Sequence, residues 1–141
     1  VIIHPGMTAL GQVMGEREST DLIVEVEGIQ WLWLISYPSE DVAQQPELVI
    51  PVNKTVQFNI TSRDVLHSFW IPAFLMKIDA VPGRTTTLSV RATKVGEYSS
   101  DPLIRLQCAE LCGVSHASMR IPVRVVSQQE FRDWIESRKA Q

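Results

Sequence analysis

Apolar and polar residues alternate along most of this chain with a period of two, the mark of strands that bury one face. Asp21 to Glu27 carries apolar Leu22, Val24 and Val26 among Glu25 and Glu27. Ile29 to Tyr37 reads as the next strand, with Trp31 and Trp33 on one face, where the default role of the indoles is core packing. Ser36 to Pro46 holds two prolines and reads as a loop; Leu48 to Val52 is a short strand, and Asn53-Lys54 a turn. Thr55 to Thr61 alternates without a fault, with Val56, Phe58 and Ile60 inward and Gln57, Asn59 and Thr61 outward. Val65 to Ile71 is a further strand, closed by Pro72. Val81-Pro82-Gly83-Arg84 has proline second and glycine third, the type II turn pattern. Thr85 to Ala92 follows with Leu88 and Val90 inward, Glu97-Tyr98 opens a strand leading to Cys108, and Ile121 to Val126 is the last strand. Ser127 and Glu130 then form a capping box, and Phe131, Trp134 and Ile135 share one helical face. About eight short strands with Pro and Gly turns predict an all-β sandwich with a short C-terminal helix. Residues 1–20 lack a clear period and read as an arm or loop, with His4 an ordinary terminal histidine; residues 21–141 read as one domain.

Composition adds limits. A chain of 141 residues, 45% hydrophobic and 21% charged, supports one real core. No apolar run approaches the ~20 residues of a membrane helix. The start V-I-I-H-P-G-M is too short and lacks the basic leader of a signal peptide. Two cysteines are too few for a disulfide scaffold, and nothing matches a nucleic-acid motif. The net charge of −3 is uneven: residues 1–50 hold eight acids against Arg17, a net of −7, and the rest of the chain nets +4. That asymmetry is either a set of solvated strand faces or an acidic surface that steers a basic partner.

The candidate chemistry sits in Cys108 to Met119, C-A-E-L-C-G-V-S-H-A-S-M. Thiolate, imidazole and thioether together are soft to borderline ligands and favour copper. Two thiolates in one loop can bridge a pair of ions, and His67 in D-V-L-H-S-F-W gives each ion one imidazole. Other readings stay open. Cys108, Cys112 and Met119 share one face of a helix, although Gly113 weakens a helix there. A Cys108–Cys112 disulfide would close a small loop with little entropic gain. Two Cys and two His also suit zinc, although zinc rarely takes a thioether. A lone His67 beside Phe69 is otherwise an ordinary core histidine.

The Cys108–Met119 stretch resembles the CuA loop of subunit II of cytochrome c oxidase. D-V-L-H-S-F-W-I-P-A-F, D-A-V-P-G-R and Q-W-L-W followed by Y-P resemble three more of that family's segments, in its order. The resemblance runs from about Ile23 to the C-terminus. It implies a Greek-key cupredoxin fold and two copper ions bridged by Cys108 and Cys112. His67 and His116 would be terminal ligands, with Met119 and the carbonyl of Glu110 as weak ones. Glu110 would also face a magnesium site shared with the haem-bearing subunit I. Trp31 would receive electrons from cytochrome c or a similar soluble carrier, docked through acids such as Glu40, Asp41 and Asp64. Arg63 stands where some members have an acid. The family's subunit has two membrane helices before this domain, which implies a fragment of an anchored subunit on the outer face of an energy-transducing membrane. The whole enzyme reduces dioxygen to water and pumps protons. Nitrous oxide reductase shares the Cys, His and Met spacing but usually has an aromatic residue at the position of Glu110. Quinol-oxidising relatives lack the copper ligands. A zinc-bound or metal-free structural domain is the alternative from another class. Asp101 to Gln107 looks like an insertion, expected to bulge at the edge of the site.

Overall fold

The computed structural model describes residues 11–14 and 19–139. Its strands are β1 (Gly11–Met14), β2 (Leu22–Ile29), β3 (Leu32–Tyr37), β4 (Val42–Gln45), β5 (Leu48–Pro51) and β6 (Thr55–Ser62). They continue with β7 (His67–Ile71), β8 (Met76–Ala80), β9 (Thr86–Ala92), β10 (Gly96–Glu97), β11 (Arg105–Cys108) and β12 (Arg120–Val126), before helix α1 (Gln128–Lys139). One sheet runs β1-β9-β6-β2-β3-β4, and the other β10-β12-β11-β7-β8 with β5 parallel to β12. Val56, Phe58 and Ile60 of β6 are buried against Phe69 and Ile71 of β7 and Leu106 of β11 in one core cluster. The alternation in β6 thus places its apolar face between the sheets, as the pattern requires.

Several elements differ from the sequence reading. The apolar run Ile29–Tyr37 is not one strand: β2 and β3 form an antiparallel hairpin, Ile29 opposite Leu32, with Gln30 and Trp31 at its tip. Trp33 is 1% exposed in the core, while Trp31 is 37% exposed outside it. The supposed loop Ser36–Pro46 contains the 3-10 turn Pro38–Glu40 and β4. Part of the expected arm is strand, since β1 pairs with β9; His4 lies outside the described residues. β8 was not anticipated, although Met76 and Ala80 are buried and Lys77 and Asp79 exposed in strict alternation.

Residues 98–104 do not continue a strand from Glu97. They fold back through Ser100 and Asp101 N–H groups onto the Glu97 carbonyl, and Ala73 N–H donates to Leu103 O at 3.0 Å. This segment lies at the Arg105 end of β11, away from Cys108, so it does not bulge at the site. The register is regular, Gln107 opposite Trp70 and Cys108 opposite Phe69. The turn at Val81–Arg84 has Gly83 at φ 75°, as its type requires. Ser127 caps α1, its hydroxyl accepting from the Glu130 N–H at 3.1 Å, and Phe131, Trp134 and Ile135 are buried. Among the described residues, no helix is long and apolar enough to cross a membrane.

Candidate metal centre

Two pieces of chain bring the donors together. His67 begins β7 and Cys108 ends β11, so the antiparallel pairing of these strands sets them side by side at one end of the sandwich. The loop after Cys108 is then held shut: Cys108 N–H donates to Met119 O and Ala109 N–H to Ser68 O, both at 3.0 Å. A 3-10 turn, His116–Ser118, closes it.

The donor atoms converge. Cys108 Sγ and Cys112 Sγ are 3.7 Å apart, far from the ~2.05 Å of a disulfide. His67 Nδ1 is 3.8 Å from Cys108 Sγ, and His116 Nδ1 is 3.6 Å from Cys112 Sγ. Met119 Sδ lies 3.8 Å from Cys112 Sγ, and Glu110 O lies 3.1 Å from Cys108 Sγ. Donors at metal bonds of about 2.0–2.3 Å on one tetrahedral ion are separated by about 3.3–3.8 Å. The two sulfurs therefore lie close enough to bind one metal ion, with an imidazole on either side. His67, Cys108, Cys112 and Met119 are buried, and His116 and Glu110 are half-buried. The set fits copper in both softness and spacing.

The surroundings orient these ligands. Asp64 Oδ1 holds His67 Nε2 at 2.9 Å, which leaves Nδ1 turned to the sulfurs. The Asp64 carboxylate also accepts from the Gln30 N–H at 2.8 Å and the Val65 N–H at 2.6 Å. Burial alone would raise the Asp64 carboxyl, but these hydrogen bonds from Gln30, His67 and Val65 outweigh it and hold it below its ordinary value. Burial, then the neighbouring Cys108 thiol, pushes the Cys112 thiol up to about 12. Metal binding must therefore displace a proton from the Cys112 sulfur. Gly28 makes room for the imidazole: a Cβ there would lie 2.9 Å from His67 Cδ2 and 3.2 Å from Trp33 Cζ3.

Trp31 reaches the site from the hairpin tip. Its indole Nε1–H donates to the Cys112 carbonyl at 3.3 Å, and Gln30 Nε2 donates to the same oxygen at 2.7 Å. Gly113, at φ +125°, permits this approach, since a Cβ would lie 3.0 Å from both nitrogens. The proposed docking acids separate. Asp64 is beside Trp31 but already engaged with His67. Glu40 and Asp41 lie beyond the far end of β3, about 20 Å of extended strand away, so they do not surround the indole. Gly28 had no visible role in the sequence; Gln30 stood out only within Q-W-L-W and Gly113 only as a helix breaker, and neither signal pointed to the contacts these residues make.

The family model described as cytochrome c oxidase subunit II, periplasmic domain, matches residues 40–126. The chain is 44% identical over 135 residues to a cytochrome c oxidase subunit 2 of Thermostichus vulcanus, covering 96% of this chain and 38% of that one. It thus spans well under half of that relative's length. The crystal structure of the periplasmic domain of subunit II of cytochrome oxidase (CoxB) of Bradyrhizobium japonicum superposes with a TM-score of 0.77 at 36% identity. That match covers 87% of this chain and 96% of the other. Auracyanin B, 14% identical with a TM-score of 0.54 over 84% of this chain and 96% of its own, shares the fold alone. The fold is the expected cupredoxin-type sandwich.

Proposed function

The chain belongs to the family of cytochrome c oxidase subunit II periplasmic domains, and on that premise we propose that it is a binuclear copper domain that receives electrons for a haem–copper oxidase. The observation that carries this reading is the pair of buried thiols 3.7 Å apart, flanked by His67, His116, Met119 and the Glu110 carbonyl. Cys108 and Cys112 would bridge two copper ions, His67 and His116 would cap them, and Met119 and Glu110 O would be the weak ligands. Bound there, the pair would supply one-electron transfer with little change in geometry. The residues provide the rest. The buried wall of Trp33, Phe69 and Met119 excludes water and lowers the solvent's response to a change in charge. Asp64 keeps His67 Nδ1 turned inward. Trp31 offers a partly exposed indole to a donor, joined to Cys112 Sγ by one hydrogen bond and the bonds of one cysteine.

In this reading the donor is a c-type cytochrome or similar carrier, and the electron passes on to haem in the membrane subunit, where the assembled enzyme reduces dioxygen to water. The Glu110 carboxylate would face magnesium at that junction, and the domain would stand on the outer face of the membrane. The test is copper per chain together with electron-spin resonance. Two coppers and a signal split by two equivalent nuclei are expected; zinc, or copper without that splitting, would replace this reading with a structural metal domain.

A further inference from the structure

We infer that Gln30 is a positioning residue whose carboxamide fixes Trp31 and the ligand loop for electron uptake, an inference that rests on the function proposed above. Gln30 touches both halves of the site. Its backbone N–H donates to Asp64 Oδ2 at 2.8 Å, and the other oxygen of Asp64 holds His67. Its side-chain Nε2 donates to the Cys112 carbonyl at 2.7 Å. One residue of a hairpin tip therefore ties the ligand on β7 to the ligand loop, across 34 residues of sequence on one side and 82 on the other.

The shared acceptor explains why the carboxamide matters. The Cys112 carbonyl accepts two donors, and the Gln30 bond is the shorter, 2.7 Å against 3.3 Å from Trp31. The shorter bond fixes the plane of the Cys112–Gly113 peptide, and the indole N–H depends on that plane for its own contact. Trp31 is 37% exposed and lies outside the buried core cluster. Without Gln30 the carbonyl keeps only the long bond, and both the loop and the indole gain freedom. Gly113 admits both nitrogens to one oxygen, since any side chain there would meet them at 3.0 Å. Charge is not the reason for glutamine. A glutamate of the same shape would set an anion against the carbonyl oxygen, and a methionine would fill the space without a donor.

The test uses Gln30→Met and Gln30→Glu, which leave the backbone bond to Asp64 in place. Stopped-flow reduction of the copper-loaded chain by a reduced c-type cytochrome separates donor affinity from the limiting rate. We expect the limiting rate to fall by about 10- to 100-fold, the range for outer partners of metal ligands, with affinity unchanged. In a Trp31→Phe background, Gln30→Met should cost nothing further, because the two act through one contact. In the reduced, metal-free chain, the carbonyl carbon resonance of Cys112 should move upfield. An unchanged limiting rate, a loss confined to affinity, or additive losses in the double variant would overturn the inference. A wild-type chain that takes up no copper would overturn the proposed function instead, while the Cys112 resonance still decides whether the tether exists.

Discussion

Replacing Gly28 by alanine tests whether the core is shaped around the His67 imidazole. Gly28 lies in β2, opposite Trp33 on one side and Ser62 on the other, and its φ is not in the left-handed region. At an open strand position, Gly→Ala would stabilise by about 0.4–1 kcal/mol, because the unfolded chain loses freedom. Here the new Cβ would stand 2.9 Å from His67 Cδ2, 3.2 Å from His67 Cγ and 3.2 Å from Trp33 Cζ3. Neither ring yields easily. His67 is fully buried and hydrogen-bonded to Asp64, and Trp33 is wedged edge-on against Phe69 with ring centres 6.2 Å apart. Overpacking of this kind costs about 1–3 kcal/mol. The overpacking term exceeds the entropic gain, leaving a net loss of about 1–2 kcal/mol. For a domain of this size that corresponds to a fall in Tm of about 3–7 °C. Relief requires the imidazole to tilt, which moves Nδ1 relative to Cys108 Sγ, now 3.8 Å away. The His116 side is untouched, so the two coppers should become inequivalent. Thermal unfolding gives the first quantity and the electron-spin hyperfine pattern the second. An equal or higher Tm with an unchanged spectrum would refute the reasoning.

Other outcomes follow from the same geometry. Cys112→Ser should abolish the two-copper signal, because a hydroxyl cannot replace a soft bridging thiolate; an intact two-copper spectrum would remove Cys112 as a bridge. Met119→Leu should keep two coppers and raise the reduction potential in a redox titration, since a weak donor is lost while the site stays apolar; loss of all copper would make Met119 a primary ligand. Trp31→Phe should slow electron uptake at saturating donor yet leave stability nearly intact, unlike the ~3–5 kcal/mol lost when a buried Trp is truncated; an unchanged rate would end its role. Tyr37 tests alkaline pH. It is buried, donates to Val49 O at 2.7 Å and accepts from Val49 N–H at 2.8 Å, and burial raises its pKa well above the ordinary 10.0. Its contribution is therefore full below pH 10 and declines as pH rises above it, by about 1.4 kcal/mol per unit. Urea midpoints of wild type and Tyr37→Phe should differ at pH 8 and converge by pH 11, whereas parallel curves would contradict the shift.

Much of the fold was legible because burial on one face forces alternation. Val56, Phe58 and Ile60 named β6, and Ser127 with Phe131, Trp134 and Ile135 named α1. The errors share a cause. The run from Ile29 to Tyr37 is apolar but for Gln30 and Ser36, and such a run does not say where a chain reverses. The reversal at Gln30 and Trp31 is fixed by partners far away in sequence, Asp64 and Cys112. β8 alternates well, but at five residues beside Pro72 and Phe74 its signal was too brief to stand out.

The site divides in the same way. Its candidate donors were legible because soft ligand types packed into one loop leave few alternative uses. The docking acids were not, because a charge count along the chain carries no position in space. Glu47 is spent on Arg124, Arg138 and the Trp134 indole, and Glu27 is paired with Arg63. Glu40 and Asp41 sit at the wrong end of β3. These four acids of the first fifty residues therefore do not form an acidic ring around Trp31. What stands exposed with the indole is largely apolar: Leu32 beside it in the hairpin, Val65 and Leu66 in the segment before His67, and Leu111 and Val114 at 80% and 94% exposure in the ligand loop. A donor of the proposed kind docking at this end of the sandwich would therefore meet apolar surface, beside an Asp64 carboxylate already hydrogen-bonded to His67.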